Sequence, residues 1–499
     1  MSSNITKKSE HLQEFKTEKM SVPVLFHTSD DLLPNQETFN QLENLAQDKR
    51  LFSHIAAMSD VHPKKGRKNP TGTVVASEKY LFPQINDTAP NCGMRFIRTD
   101  FDEQSLTPEK IDELFQELVK VIPTKKYIGT TVSFNDVMEI SKKGSIALKE
   151  KFKTRTKNEI ENTFEHGNLV TKNNVEDKDI FNAIPKLFLH IGKYRTGILG
   201  AAGNHFLDLM KITEIKNNEI AQKFNLKKGQ YIFLLHTGSG LVGQYASYMY
   251  TPKIKEHFSQ KFILNIGTAL FNSEYKNIYN ELHKKIKSYQ DKSEFFGYEA
   301  DSLEGKMYQI AHEVAGNFGF ANRIILNHHL DQALEKVFGQ QIELDLLWDM
   351  PHIMNRKENH FGKDVWIHRN GTVRANGPER MKNLHPLFGE TGEPVFIPSS
   401  MSTPAYLGVG TDQNESSFFS ASHGTGRRAQ NTEDIAKNKD DLMKHMQEAK
   451  VKLYNAKSAG VILQDSGYYK DIEEVISGME ENHIVNNVVK MQPVAVLMY

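Results

Sequence analysis

The clearest helical pattern in this chain is an apolar stripe, spaced three to four residues apart, near residue 115. It begins after Thr107, a favourable N-cap, and Pro108, which is well tolerated at the first helical position, and Pro123 ends it. The spacing predicts a helix over residues 107–122 that buries one face. The stripe consists of Ile111, Leu114, Phe115, Leu118 and Ile122.

Two further helices and three strands are predicted from weaker patterns. One helix begins at Ser133, another favourable N-cap, and runs through Ile140 until Gly144 interrupts it. Another helix, mostly polar, is predicted over residues 433–454. Short apolar runs bounded by turn residues predict strands at residues 230–235, 395–397 and 488–498.

Residues 364–375 are predicted to form a β-hairpin, because an apolar run leads to Asn370-Gly371, a common turn pair. Helices and strands do not alternate regularly along the chain. There is also no GxGxxG motif followed by an acidic residue and no phosphate-binding P-loop motif. The pattern therefore predicts an α+β fold and argues against a doubly wound nucleotide-binding sheet.

Composition narrows the class of protein further. Of 499 residues, 38% are hydrophobic, which is enough for a packed core. The length alone would suggest about three domains. Equal numbers of basic and acidic residues, 62 of each, exclude a histone-like polycation. The single cysteine, Cys92, cannot form an intrachain disulfide, which excludes a disulfide-bridged secreted scaffold.

The first 20 residues are polar and mixed in charge. They lack the apolar core of a signal peptide, and no run elsewhere is long enough to cross a bilayer. We therefore expect a flexible N-terminal leader over residues 1–20 and a cytoplasmic protein with no membrane partner.

Five segments combine glycine or basic residues with side chains capable of metal or phosphate chemistry. A strand that ends in histidine before a glycine turn holds an imidazole beside an open loop, which suits metal ligation. A thiolate with several imidazoles is a borderline-soft set that suits zinc, iron, cobalt or manganese when carboxylates join it. Taken singly, a histidine is more often structural and a buried cysteine more often inert. The segments are Asp60-Val61-His62, Asn91-Cys92-Gly93-Met94-Arg95, Gly203-Asn204-His205-Phe206-Leu207-Asp208, His236-Thr237-Gly238-Ser239 and Ser422-His423-Gly424-Thr425-Gly426-Arg427-Arg428.

His423 has the most suggestive surroundings of these residues. Small residues flank it, and Arg427 and Arg428 follow. Glycines permit close approach of a phosphate, and arginines form charge-assisted hydrogen bonds with its oxygens. An imidazole in such a place could attack phosphorus and hold it as a phosphoramidate. The alternative interpretation is a tight turn with a solvated basic end.

Together and in this order, these segments resemble the RtcB family of RNA-splicing ligases. The likeness extends from about Asp60 to the C-terminus, so it predicts one catalytic domain over residues 21–499 in place of three domains. It implies mixed sheets and helices around a metal-containing cleft. The further matching segments are Pro70-Thr71-Gly72, Asn322-Arg323, His368-Arg369, Ile397-Pro398-Ser399-Ser400-Met401 and Tyr469-Lys470-Asp471.

The resemblance also implies a reaction and its residues. Family members join RNA ends that carry a 2′,3′-cyclic phosphate or a 3′-phosphate to 5′-hydroxyl ends, in RNA repair or tRNA splicing, using GTP and manganese. The likeness implies that His423 takes GMP from GTP and passes it to the RNA 3′-phosphate before the 5′-hydroxyl attacks. The implied ligands of one or two Mn²⁺ ions are Cys92, His205, His236 and His352. The implied nucleotide-binding residues are Asn204, Asp208, Ser400, Arg427 and Tyr469.

The implied partners are RNA ends, GTP and an archease-like activator, which some family members use. The basic stretch Lys64–Lys68, together with Arg427 and Arg428, could hold RNA phosphates without reading sequence. A solvated charged face is the alternative for this short run.

The chain departs from the family pattern at several positions. Ala89 stands where a carboxylate ligand is usual, and Asp87, two residues upstream, could substitute for it. Gly240, Asn370 and Ala405 stand where polar contacts to phosphate or nucleotide are usual. The last residues, Val496-Leu497-Met498-Tyr499, lack the lysine that usually contacts the guanine. Two alternatives to the ligase therefore stay open. One is a metal-dependent nucleotidyl or phosphoryl transferase that no longer joins RNA, and the other is a catalytically weakened RNA-end-binding protein.

Overall fold

A computed structural model shows an α+β fold, which confirms the fold class that the sequence pattern predicted. No helix in the described part of the chain is long and apolar enough to cross a bilayer. The structure describes residues 4–498 apart from 65, 87–88, 124–131, 153, 173, 201–203, 254–257, 272, 291, 429–433 and 456–458.

Strands and helices are interspersed along the whole chain. The strands are β1 (Ile5–Lys7), β2 (Gln13–Phe15), β3 (Val24–His27), β4 (Ile55–His62), β5 (Thr71–Ser77), β6 (Tyr80–Leu81), β7 (Gly93–Arg98), β8 (Phe206–Ile215), β9 (Tyr231–Thr237), β10 (Tyr298–Glu299), β11 (Asp345–Pro351), β12 (Ile353–His360), β13 (Lys363–Asn370), β14 (Thr372–Arg374), β15 (Pro394–Ile397), β16 (Ala405–Gly410), β17 (Ser420–Ser422), β18 (Lys452–Tyr454) and β19 (Val485–Met498). The helices are α1 (Gln36–Ala46), α2 (Pro108–Val121), α3 (Phe134–Lys143), α4 (Ile146–Phe152), α5 (Asp177–Ala183), α6 (Lys186–Gly192), α7 (Asn218–Lys223), α8 (Gly240–Tyr250), α9 (Phe258–Leu270), α10 (Ser273–Ser288), α11 (Leu303–Phe338), α12 (Pro378–Met381), α13 (Phe388–Thr391), α14 (Lys439–Glu448) and α15 (Ile472–Glu481).

The first large sheet has the strand order β1-β2-β3-β4-β5-β13-β12 and begins at the N-terminus. Strand β2 pairs with β3, and Phe15 packs edge-on against Phe39 of α1 with ring centroids 5.1 Å apart. The flexible leader predicted for residues 1–20 therefore does not describe residues 5–7 and 13–15. These strands are only three residues long, too short to show a period-two pattern, and they are ordered by pairing with the sheet.

The second large sheet has the strand order β11-β7-β9-β8-β19-β16-β15, and β18 pairs in parallel with β19. Three strands predicted from apolar runs, β9, β15 and β19, lie in this sheet and are confirmed. The polypeptide crosses from the second sheet to the first at one residue, His352, which follows β11 and precedes β12. This crossing places His352 where the two sheets meet.

Local signals explain the confirmed helices. At the start of α2 the Thr107 side chain accepts a hydrogen bond from the Lys110 backbone N–H, and Pro108 occupies the first turn. A capping box formed by Ser133 and Asp136 begins α3. Helix α11, of 36 residues, could not be predicted from the sequence pattern, because most of its faces are buried and it therefore lacks a one-sided apolar stripe.

Two local predictions were wrong. The predicted hairpin at residues 364–375 is absent, because β13 pairs with β5 and β12 whereas β14 pairs with β17. The strands before and after Asn370-Gly371 thus belong to different sheets. The predicted helix over residues 433–454 is limited to α14, since residue 433 lies outside the described residues and β18 follows. Tertiary pairing overrode the local signal in both places.

A buried network of ionic groups lies beneath strands β7 and β11. Arg95 donates to Asp349 at 2.9 Å and to Glu159 at 2.6 Å, and Arg323 donates to the other oxygen of Asp349 at 2.8 Å. All four side chains are fully buried. Arg323 also donates to the carbonyl and side-chain oxygens of Asn91, at 3.1 and 2.7 Å. The network therefore anchors the residue that precedes Cys92.

Asp349→Asn is expected to destabilise the fold by about 3–5 kcal/mol, because two buried guanidinium groups lose their shared anion. The measurement is equilibrium unfolding in urea. Glu219→Gln is the control: Glu219 is an exposed partner of Lys223, and its loss should change stability by less than about 1 kcal/mol. Equal unfolding midpoints for the two variants would contradict the structural role of the network.

Candidate active site

A cavity of about 1020 Å³ contains the residues that the sequence analysis singled out. It is lined by segments from both large sheets and from the loops that follow them. All ten candidate residues lie on its wall, although they are far apart in sequence. They are Cys92, Asn204, His205, Asp208, His236, His352, Ser400, His423, Arg427 and Tyr469.

Four of these residues bring a compact set of metal-ligand atoms together. The Cys92 Sγ lies 3.5 Å from His205 Nε2 and 3.4 Å from His236 Nε2. His236 Nε2 lies 3.0 Å from His352 Nε2. The donor atoms of Cys92, His236 and His352 all lie within 4.8 Å of one another, and these residues are buried. One ion could therefore contact several of these donors at once.

Strand pairing explains why these donors converge. In the second sheet β7 and β8 flank β9, so that Met94 and Phe206 both lie opposite His236. Cys92 and His205 immediately precede β7 and β8 and therefore emerge at the same end of the sheet. The His352 backbone N–H donates to the Cys92 carbonyl at 2.8 Å, which joins the crossing between the sheets to this end.

Hydrogen bonding and burial keep the imidazoles suited to metal binding. The Asn204 carbonyl lies 2.9 Å from His236 Nδ1, so Nδ1 donates and Nε2 retains its lone pair. Burial lowers the pKa of His205 to about 4 and the pKa values of His236 and His352 well below their usual range. Burial raises the pKa of the metal-free Cys92 thiol to about 11, so it must lose a proton when it binds a cation.

The donor chemistry fits a divalent transition metal ion. A thiolate and three imidazoles form a borderline-soft set. Ala89 lines the cavity and adds no donor, whereas Asp87 lies outside the described residues. Among the described lining residues the only carboxylate belongs to Asp208. The donor atoms that the described cluster residues offer are therefore all sulfur or nitrogen.

His423 lies beside this cluster, directly after β17. Its ring stacks on the ring of His352 with centroids 4.5 Å apart. Its Nδ1 lies 2.8 Å from the carboxylate of Asp60, a fully buried residue of β4. When that carboxylate accepts the Nδ1–H, the Nε2 atom on the other side of the ring keeps its lone pair. In that tautomer His423 could act as a nitrogen nucleophile.

The sequence analysis noted the segment that contains Asp60 and gave its carboxylate no role. The available signal was an acidic residue in β4, two positions after its apolar run Ile55–Met58, which is unusual unless the acid is paired. Two glycines at positive φ pack against Asp60. A Cβ atom at Gly72 would come within 2.7 Å of the Asp60 carboxylate, and one at Gly426 would overlap its carbonyl. Glycine is needed at both positions for this close approach.

The sequence is similar to known proteins over most of its length. A family model described as tRNA-splicing ligase RtcB matches residues 41–498. The chain belongs to the RtcB family. The tRNA-splicing ligase RtcB of Methanococcus maripaludis is 27% identical over the full length of both chains. The tRNA-splicing ligase RtcB of Nanoarchaeum equitans is 28% identical, over 97% of this chain and 96% of its own length. The tRNA-splicing ligase RtcB of Thermococcus kodakarensis is 26% identical, over 96% of this chain and 95% of its own length.

The remaining candidate residues of this RtcB-family chain line the same cavity as the donor cluster. Burial raises the pKa of Asp208 well above its usual range, and one of its oxygens has no hydrogen-bond partner. Ser400 Oγ lies 2.9 Å from the Thr403 hydroxyl. The Arg427 guanidinium stacks over the Tyr469 ring at 4.3 Å and donates to the Leu463 carbonyl. These polar groups could contact a ligand beside the metal-binding donors.

The basic residues of Lys64–Lys68 and Arg427-Arg428 lie partly on the cavity wall and partly elsewhere in this member of the RtcB family. Lys64 lines the cavity, and residue 65 lies outside the described residues. Lys68 donates to the carbonyls of Lys292 and Glu294. Arg428 donates to the Tyr469 carbonyl. Lys68 and Arg428 therefore have structural contacts, and Lys64 and Arg427 are the basic residues on the cavity wall.

Proposed function

We propose that this protein is an RNA ligase that joins a 3′-phosphate or 2′,3′-cyclic phosphate end to a 5′-hydroxyl end through a nucleotide held covalently on His423. RNA ligation follows from membership of the RtcB family. The observation that carries the covalent step is the pairing of His423 Nδ1 with Asp60 beside the Cys92 cluster. The proposed nucleotide is GTP, and the proposed cofactor is Mn²⁺, as one or two ions.

In the first step, the lone pair of His423 Nε2 attacks the α-phosphorus of the triphosphate. The N–P bond forms as the P–O bond to pyrophosphate breaks, and the proton on Nδ1 stays hydrogen-bonded to Asp60. An ion bound by Cys92 and the three cluster histidines would neutralise charge on the transferring phosphate. Asp60 fixes the imidazole tautomer and balances the positive charge that develops on the ring.

In the second step, an oxygen of the RNA 3′-phosphate attacks the same phosphorus, and the bond to His423 breaks. The nucleotide now activates the RNA end. A 2′,3′-cyclic phosphate must first be opened by water to a 3′-phosphate. In the last step the 5′-hydroxyl attacks the RNA phosphorus, loses its proton to solvent and releases the nucleoside monophosphate. Three transfers thus convert two RNA ends and one triphosphate into a phosphodiester, a monophosphate and pyrophosphate.

The other residues of the cavity wall would bind the substrates. Asn204, Asp208, Ser400 and Tyr469 are the proposed nucleotide contacts, together with Arg427, whose guanidinium suits phosphate oxygens. Lys64 is the proposed contact for RNA phosphate. We also propose a cytoplasmic location, because a metal-binding thiolate is preserved in a reducing compartment, and an archease-like activator as partner.

A metal-dependent nucleotidyl transferase that no longer joins RNA is the second candidate function. The observation in its favour is Ala89, which places an inert methyl group on the cavity wall where an RtcB-type ligase would have a carboxylate. Loss of one ligand would weaken later steps that need a second ion and could leave the first nucleotide transfer intact.

The purified protein with manganese and GTP labelled at the α-phosphate is expected to form a labelled adduct that is labile in acid and stable in base. It should also join an RNA with a 3′-phosphate to an RNA with a 5′-hydroxyl, and chelation of the metal should stop both reactions. An RNA with a 3′-hydroxyl is the control and should not be joined. Gel electrophoresis measures both products.

The outcomes separate the candidates. An adduct without joining would favour the nucleotidyl transferase. The absence of an adduct with any of the four nucleoside triphosphates would exclude the covalent mechanism. Joining with another triphosphate in place of GTP would correct the nucleotide and leave the mechanism intact.

A further inference from the structure

We propose that Lys470 is a positioning residue for the His423 nucleophile and acts by holding Asp60 in place. The proposal rests on the proposed function, since it concerns the covalent step at His423. Lys470 does not itself line the cavity, and its ammonium group donates to backbone carbonyls rather than to a candidate metal ligand, so its effect must pass through other residues.

The side chain of Lys470 binds the backbone on both sides of Asp60. Its Nζ donates to the carbonyls of Ser59 at 2.7 Å and Val61 at 3.1 Å, and to the carbonyl of Leu32 at 3.0 Å. All three ammonium protons are therefore used. The side chain is 7% exposed, and these bonds go to backbone carbonyls alone, which shows that it orders the chain around Asp60.

This stretch of β4 needs such a partner because regular pairing stops there. The parallel pairing of β4 with β3 ends at Met58. Its antiparallel pairing with β5 is interrupted between Ala57 and His62. A buried carbonyl without a donor costs stability, so the ammonium group satisfies backbone groups that the sheet leaves unpaired. The Lys470 ammonium group thereby holds the backbone at Asp60, where neither β3 nor β5 pairs with β4.

The backbone of Lys470 is joined to the segment that carries His423. Its N–H donates to the Gly426 carbonyl at 3.2 Å, and Arg427 forms an antiparallel bridge with Tyr469. Gly426 in turn packs directly on the Asp60 backbone. Lys470 thus connects the two segments whose side chains form the His423–Asp60 hydrogen bond. A shift of either segment by a few tenths of an ångström would misalign that bond.

Charge adds to this geometric role. Burial lowers the pKa of Lys470 to about 8, and the neighbouring Asp60 opposes that shift. The ammonium group contacts the backbone on both sides of Asp60, and the Asp60 carboxylate lies 2.8 Å from His423 Nδ1. An apolar side chain at position 470 would leave the three carbonyls without this donor and would remove a positive charge that interacts with Asp60.

The test is a double-mutant cycle on the rate of adduct formation at saturating manganese. Lys470→Met should slow adduct formation by about tenfold while the KM for the nucleotide changes by less than about twofold. Asp60→Asn should slow it at least as much. The double variant should be no more than about twofold slower than Asp60→Asn, because Lys470 acts through that carboxylate.

Lys253→Met is the matched control. Lys253 is also a lysine with 7% exposure, but its ammonium group donates to the Ser247 hydroxyl of α8 rather than to the backbone around Asp60. Its adduct rate should stay within about twofold of the wild-type rate. Circular dichroism and the bound-metal content of each variant establish that the fold is retained.

Lys470→Gln provides a second variant that keeps two N–H donors, for use if the methionine variant does not fold. It should slow adduct formation less than Lys470→Met and show the same dependence on Asp60. Rate losses that multiply in the double variant, with either substitution at Lys470, would overturn the inference. So would a Lys470 variant that behaves like the Lys253 control. If the wild-type protein forms no adduct, the proposed function itself fails, which is a separate result.

Discussion

The His423→Ala variant should form no labelled adduct with any nucleoside triphosphate and should join no RNA. The substitution removes the imidazole whose Nδ1 is paired with the buried Asp60 carboxylate and whose ring stacks on His352. Removal of a covalent nucleophile lowers turnover by about 10⁴-fold or more. The measurement is the amount of label retained by the protein after denaturing electrophoresis, at reaction times up to hours.

Three controls give the result its meaning. Bound metal should be unchanged, because the Cys92 Sγ and the cluster histidines remain. His329→Ala removes a histidine from α11 outside the cavity and should retain the wild-type adduct rate. Mass spectrometry of the wild-type adduct should locate the nucleotide on the peptide that contains His423. A normal adduct in His423→Ala would transfer the role of nucleophile to another residue.

The Cys92→Ala variant should lose metal binding, with an affinity at least about 100-fold lower than that of the wild type. Replacing a residue that merely supports a ligand costs 10 to 100-fold, and loss of the ligand itself costs more. The Cys92 Sγ contacts the Nε2 atoms of both His205 and His236, so its removal leaves the imidazoles without their shared partner. Isothermal titration with manganese, and metal analysis after dialysis, measure the loss.

A graded series makes this experiment specific. Cys92→Ser retains a small donor and should bind metal with an intermediate affinity. Met350→Leu alters a buried sulfur-containing side chain on β11 that does not line the cavity, and it should leave binding unchanged. Unchanged metal affinity in Cys92→Ala would show that Cys92 is inert packing, as most buried cysteines are.

The sequence predicted those parts of the fold that are determined by residues within the element itself. Helix α2 has a cap, a first-turn proline and an apolar stripe, and β9 is an apolar run between turn residues. Helix α11 and the turn at Asn370-Gly371 were misjudged because their environment decides them. The helix is buried on most sides, and the turn joins strands of different sheets.

The candidate site shows the same division. Short motifs located Cys92, His205, His236 and His423, since each stands beside a glycine or a strand end that can be read from the sequence. The partners of these residues could not be predicted, because they depend on distant packing. Asp60 lies 363 positions from His423, and the Lys470 side chain reaches carbonyls 409 to 438 positions away. No local pattern encodes such pairs.

The crossing at His352 has a consequence for how the protein acquires its metal. His352 belongs to neither sheet and touches both, and the Cys92–His236 contact beside it spans 144 positions. Contacts between such distant segments form late in folding, since long loops must close first. A refolding chain would therefore lack a complete set of ligands until the two sheets had joined. The chain would then bind the metal ion only in the last step of folding. Manganese present from the start of refolding would leave the rates of the earlier folding phases unaltered.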